Sequence, residues 1–271
     1  MSPIYVPGKV TLRQTWQPMD PDAAAYITAV ETADGLPLEE KVKIAIDNFV
    51  LGCKADGIWN AIKASCILAG ARTRQGALIP LRNEFDVVNN IQPAAPQAFN
   101  FVDDDYDRKT GLKGDGSTKY LDSNRANDAD PQDSKHVSVY VSALGTTGAA
   151  IGAGRASPGA SAIFASTVET VFRNNSVTAS FLAPALDTGF IGSNRLSGAS
   201  YDARFNGANS LLAVTSQVPA SFNYYIFANG LTLANYSNVR LAFYSIGESL
   251  DLAKLDARVT DLINAIGVAI P

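Results

Sequence analysis

Histidine is almost missing from this sequence: His136 stands alone, and cysteine occurs only at Cys53 and Cys66. One histidine and two distant thiols cannot assemble a tetrahedral zinc site. A Ser-His-Asp triad would have to be built on His136, yet no nucleophile-elbow sequence is present. The histidine precedes a strand-like stretch, "HVSVYVSAL", and reads as an exposed residue at its start. Basic charge is also short. The net charge is −4 with no basic stripe, a poor starting point for nucleic-acid binding through phosphate neutralisation, and no nucleic-acid partner is expected. No apolar run approaches the roughly 20 residues of a membrane span. The opening "MSPIYVPGKVTLRQ" lacks a charged segment followed by an apolar core, so no secretory signal is expected and the chain is expected to be soluble.

What remains is ordinary for a folded protein. Apolar residues make up 46% and charged residues 18% of 271 positions, enough for one large domain or two modest ones. The composition shifts near residue 76, and before it the pattern is helical. "MDPDAAAYITAVETADG" offers Asp20 as N-cap, Pro21 at the first helical position and Gly35 as terminator. In "LPLEEKVKIAIDNFVLGCKADG", Leu38, Val42, Ile46, Phe49 and Cys53 step by four, four, three and four, one buried helical face. "IWNAIKASCILAG" continues with Ile58, Ile62 and Cys66 and is expected as a third short helix. The two cysteines could then meet across a helical hairpin. A disulfide and a pair of small buried thiols both stay open, with the thiols favoured.

Residues 76–101 carry three prolines and little periodicity, and read as a linker. From about residue 102 the texture is β. "HVSVYVSAL", "SAIFAST", "TGFIGSNR", "YDARFNG", "FNYYIFANG" and "VRLAFYSIG" cluster Val, Ile, Phe and Tyr between Gly, Asn, Ser and Asp. Short strands at this spacing predict an antiparallel sandwich or jelly roll. At the end, Leu252, Leu255, Val259, Leu262 and Ile266 step by three and four, a terminal helix. The fold class is therefore α+β, helices before and after an antiparallel β-sandwich.

"KTGLKGDGSTKYLDSN" (Lys109–Asn124) could cradle a phosphate through Gly111, Gly114 and Gly116. A phosphate loop needs the G-x-x-x-x-G-K spacing and a helix behind it. Here the spacing is absent and the following residues are strand-like, so Asp115-Gly116 reads as a tight turn.

"GLKGDGSTKYLD" resembles the early strand of concanavalin A-like (laminin-G-like) jelly rolls. "NVRLAFYSIGESLDLAKLDARV" is similar to the closing strand and following helix of that superfamily, with Arg240, Leu241, Phe243, Tyr244, Ile246 and Gly247 in the strand. Together with "GCKADGIWNAIKASCILAGA", these segments resemble a family of bacteriophage structural proteins carrying such a domain. "YVPGKVTL" is similar to arm segments of phage virion proteins. The resemblance implies an N-terminal arm (1–19), a helical region (20–75), the linker, and a lectin-like sandwich with its C-terminal helix (102–271). It implies a virion structural protein on a tail or capsid surface: a tail-fibre or receptor-binding component, with a capsid decoration protein second and a polysaccharide depolymerase third. The partners it implies are other virion proteins, a host surface glycan, and further copies of the chain, a trimer by analogy.

Chemistry on this fold is most often glycoside hydrolysis, which needs two carboxylates across the scissile bond. In glucanases of the superfamily these segments resemble, the pair comes from a strand motif E-x-D-x-x-E, which is absent here. In the β-region glutamate occurs only at Glu169, read as solvent-facing, and at Glu248, opening the last helix. The expectation is therefore no catalytic residue, no cofactor and no enzyme. Sugar binding would use Tyr224, Tyr225 and Asn223, with Tyr201, Arg195 and Asn194 on neighbouring strands or loops, although tryptophan is missing from the β-region. Tyr224 and Tyr225 must point to opposite faces of a strand. Asp128, Asp130 and Asp133 carry oxygens of the type calcium prefers, without the spacing of a calcium loop; a solvated turn is the favoured reading.

Overall fold

The computed structural model describes residues 16–84, 88–89, 94–146, 148–182, 188–230 and 233–271. Most of the expected N-terminal arm, including "YVPGKVTL", lies outside the described residues, as do residues 85–87 and 90–93 of the expected linker.

Two helices form where the caps and periodicity place them. In α1 (Pro21–Asp34) the Asp20 carboxylate accepts the free amides of Asp22 and Ala23, and Gly35 closes the helix at φ 66°. The second helix, α2 (Glu40–Ala55), buries Val42, Ile46, Phe49, Val50 and Cys53. After a single turn, α3 (Arg74–Ala77), the last helix is α4 (Leu252–Ala269), capped by Asp251.

The expected third helix is instead a short 3-10 turn (Trp59–Ala61) and a strand (Ile62–Ile67). Its period-four residues share the segment with an alternation of two, and tertiary pairing selects the second. Ala64 and Cys66 point into the core between the sheets and Ile67 toward the helices; a register shift between Ile62 and Ala64 turns Ile62 toward the helices as well. The strand pairs with Arg240–Gly247 on one side and Arg82–Asn83 on the other. Segment 76–101 thus also supplies edge strands, Arg82–Asn83 and Gln97–Phe99.

The strands build two antiparallel sheets. One, nine-stranded, runs Ala208–Leu212, Tyr201–Phe205, Gly189–Arg195, Lys135–Ala143, Arg240–Gly247, Ile62–Ile67, Arg82–Asn83, with Gly111–Lys113 and Tyr106–Asp107 beside the start of Arg240–Gly247. The other, seven-stranded, runs Ser180–Leu182, Thr170–Arg173, Ser161–Ala165, Gly148–Ala153, Asn223–Ile226, Tyr120–Ala126, Gln97–Phe99. The architecture is an antiparallel β-sandwich with N-terminal helices and a C-terminal helix, as the sequence predicts.

Three layers result. Val137, Val139, Val141, Ile151, Ile163, Ile226, Leu241 and Tyr244 fill the space between the sheets. A second apolar layer joins α1, α2 and α4 to the far side of the nine-stranded sheet through Phe190, Ala242 and Phe243; Phe49 meets Phe243 edge-on at 5.8 Å. The nine-stranded sheet is therefore covered on both faces. Cys53 sits in the helical layer and Cys66 between the sheets; both are free, buried thiols that burial pushes up to about 12. His136, expected to be exposed, is fully buried. Its Nδ1 faces the Glu248 carbonyl at 2.6 Å and its Nε2 faces the Ser245 hydroxyl at 3.0 Å. The α4 helix, the longest described, is not apolar enough to cross a membrane, and no other described helix is.

Candidate functional site

The helices occupy one side of the sandwich, so the outer face of the seven-stranded sheet is left to carry a surface function. Strand alternation sends Leu121, Tyr224 and Ile226 inward, and Tyr120, Asp122 and Tyr225 outward. Pairing register sets these outward residues beside one another. Phe99 opposes Tyr120, Gln97 opposes Asp122, and Asp122 opposes Tyr225.

The result is a half-buried aromatic patch. The Phe99 and Tyr120 rings stack at 4.4 Å with planes 7° apart, while Tyr225 and Tyr236 meet Tyr120 edge-on at 5.5 and 6.3 Å. The Tyr225 ring packs against Gly230: a Cβ there would come within 2.3 Å of it, so glycine permits this close approach. Beside the rings, Asp122 accepts from Asn223 Nδ2 at 2.9 Å and from the Asn124 amide at 2.8 Å. Burial raises the Asp122 pKa, and these two hydrogen bonds oppose the rise without cancelling it. Burial likewise raises the Tyr120 and Tyr225 hydroxyls, which stay protonated donors at neutral pH.

The same face continues into a cleft of about 310 Å³, lined by Phe164, Val171, Phe181, Arg155, Arg173 and Glu169 among others. Asn235 belongs to this cleft and Tyr236 to the aromatic patch, so one loop borders both. Glu169, expected to face solvent, is half-buried at the cleft wall.

Of the residues expected to bind sugar, only Asn223 and Tyr225 reach this face. Tyr224 is fully buried and gives its hydroxyl to Asn127 Oδ1 at 2.6 Å. Tyr201 is buried, donating to the Phe172 carbonyl and Ser180 Oγ. Arg195 is buried against the Tyr201 ring and donates to four backbone carbonyls, those of Asn174, Ser197, Ser200 and Val214. Asn194 accepts the Leu250 amide. Tyr224, Tyr201 and Arg195 thus hold core and loops, and Asn194 lines a separate cleft beside Leu250 and Asp202, away from this face. The aspartate cluster does not converge either. Arg125 grips both Asp130 oxygens, Asp128 accepts from Asn89, and no group of three His, Cys, Asp or Glu among the described residues is placed to hold a metal ion.

Phe99, Tyr120, Asp122 and Tyr236 are absent from the expected set. The signal for two of them is the alternation Tyr120, Asp122, Asn124 inside "KYLDSN". Phe99 and Tyr236 arrive from distant segments through pairing.

No protein-family model and no curated protein sequence matches the chain. Several solved structures are similar in fold. One is a Trypanosoma rangeli sialidase mutant displaying trans-sialidase activity, at 10% identity and TM-score 0.46 over 80% of this chain and 39% of that one. Domain 4 of a Geobacillus stearothermophilus extracellular arabinanase, in complex with arabinotriose, is 13% identical, with TM-score 0.42 over 75% of this chain and 99% of that domain. The botulinum neurotoxin serotype D binding domain is 9% identical, with TM-score 0.45 over 74% and 52%. The chain spans only 39% and 33% of the two sialidase chains it resembles. Because glycosidase chains stand beside binding domains among these neighbours, the expectation that this chain is not an enzyme is overturned: the fold does not separate the two classes.

Proposed function

We propose that the outer face of the seven-stranded sheet binds glycans, and that the chain is a bacteriophage virion component, a tail-fibre or receptor-binding part directed at the host surface. The observation that carries the reading is the Phe99–Tyr120 stack set beside the Asp122–Asn223 pair. Aromatic rings take up the apolar C–H face of a sugar, and a fixed carboxylate and amide take its hydroxyls. The face has both within neighbouring strands. The virion assignment rests on the resemblance of three sequence segments to phage structural proteins. In a symmetric trimer, weak single sites would add to a firm hold on a repeating surface polymer.

The test is binding of the purified chain to host envelope polysaccharide and to a panel of immobilised glycans, with competition against phage adsorption. Binding that falls when Tyr120 or Tyr225 becomes alanine supports the reading. No binding to any glycan, and no competition, would sink it.

A further inference from the structure

A buried polar cluster lies between the sheets, where Tyr120–Ala126 leaves one and Lys135–Ala143 enters the other. Lys135, Asn127, Tyr224, Asn175 and Ser161 are all fully buried there. Lys135 Nζ donates to Asn127 Oδ1 at 3.0 Å. No described carboxylate forms an ion pair with it, because Asp130, the anion acting on it most strongly, is held by Arg125 through both oxygens. An ammonium has three hydrogens to place, and among the described residues Lys135 has one oxygen acceptor, with the Tyr224 ring centroid at 6.0 Å. Burial pushes its amine down to about 7, so a neutral amine with a free lone pair is present at ordinary pH.

The Asn127 amide is held in one orientation. Its Oδ1 accepts from Tyr224 Oη at 2.6 Å as well as from Lys135, and its Nδ2 donates to the Gly159 carbonyl at 2.8 Å and to Asn175 Oδ1 at 3.3 Å. The Tyr224 hydrogen bond draws electrons from Cγ, and the Lys135 amine lies 3.0 Å from the oxygen of the same carbonyl.

We propose that Lys135 and Asn127 join in an intramolecular isopeptide bond linking the two sheets. The Nζ lone pair adds to Asn127 Cγ. Tyr224 donates its hydrogen bond to Oδ1 as negative charge gathers there, as an oxyanion hole does. The carbonyl re-forms, the Cγ–Nδ2 bond breaks, and the proton shed by Nζ leaves on Nδ2 as ammonia. One amine and one primary amide give one secondary amide and ammonia, with no oxidant or co-reactant. Fixed proximity in a buried site supplies the rate, since neither group has rotational freedom left to lose.

The experiment is an intact-mass measurement on the denatured full chain, followed by peptide mapping. The expected wild-type mass is that of the sequence less one ammonia, with a branched peptide joining Asn127 to Lys135. Lys135→Arg and Asn127→Ala should each show the full mass of their own sequence. A full wild-type mass with two unbranched peptides would overturn the bond, and so would ammonia loss without the branched peptide. If either variant fails to fold, the wild-type peptide map decides alone.

Discussion

Tyr120 and Phe99 face each other across neighbouring strands, ring centroids 4.4 Å apart and planes within 7° of parallel. Tyr120 also contacts Tyr225 and Tyr236, so it is the hub of the patch. An aromatic pair contributes about 0.5–1.5 kcal/mol beyond area burial. Tyr120→Ala should therefore cost about 2 kcal/mol in chemical denaturation and lower glycan affinity by about tenfold, whereas Tyr120→Phe keeps the stability. A Tyr120→Ala chain that binds glycan like wild type would remove the platform.

His136 makes stability depend on mild acid. Its Nδ1 faces a carbonyl and so carries the hydrogen, leaving Nε2 to accept from Ser245, whose hydroxyl also meets that of Ser138 at 2.8 Å. Burial lowers its pKa from 6.5 to about 4. A base depressed in the folded state keeps its full contribution above the unfolded value; this is lost as pH falls from 6.5 to about 4, then stays level. The loss amounts to about 3 kcal/mol. His136→Gln removes the titration. Between pH 7 and pH 4.5, wild type should lose about 2 kcal/mol more than the variant in urea unfolding. Equal losses would place the protonation elsewhere.

Arg125 and Asp130 form a buried pair closed by two hydrogen bonds, at 3.1 and 2.5 Å. Removing one member leaves the other charge without compensation, at a cost of about 3–5 kcal/mol. Asp130→Ala should be destabilised to that extent, while replacing both by Met and Leu should recover most of it. A small single-variant effect, measured by denaturant midpoint, would show that the orphaned guanidinium reaches solvent.

Asp115 organises the turn inside "GDGSTKY". Its carboxylate accepts from the amides of Ser117, Thr118 and Lys119 and from the Thr118 hydroxyl. Burial alone would raise its pKa, and these four donors outweigh that, holding it well below the usual carboxylate range. The turn is exposed, so Asp115→Ala should cost only about 1 kcal/mol. The wild-type advantage is present above the ordinary aspartate pKa and fades in stronger acid. A thermal-melt series down to pH 2.5 checks both size and direction.

The sandwich was legible because its strands are short, apolar and bounded by turn formers, and α1 because Asp20, Pro21 and Gly35 frame it. Ile62–Ile67 was not legible. Its residues satisfy both periods, and only its partners in the sheet choose between them. The site was legible by half for the same reason. Tyr225 and Asn223 lie next to each other in sequence, but Phe99, Tyr120 and Tyr236 meet through pairing register, which composition does not encode. Conversely Tyr201 and Arg195, rich in contact chemistry, are spent inside, where Arg195 stitches four carbonyls.

The strand Ile62–Ile67 also settles how force passes through the molecule. It leaves the helical segment and lies beside Arg240–Gly247, which leads into α4, and α4 packs back on α2. The helices and the sheet are laced together by both ends of the described chain. A load applied to the helices therefore passes straight into the nine-stranded sheet through paired strands and a shared apolar layer, not along a single tether.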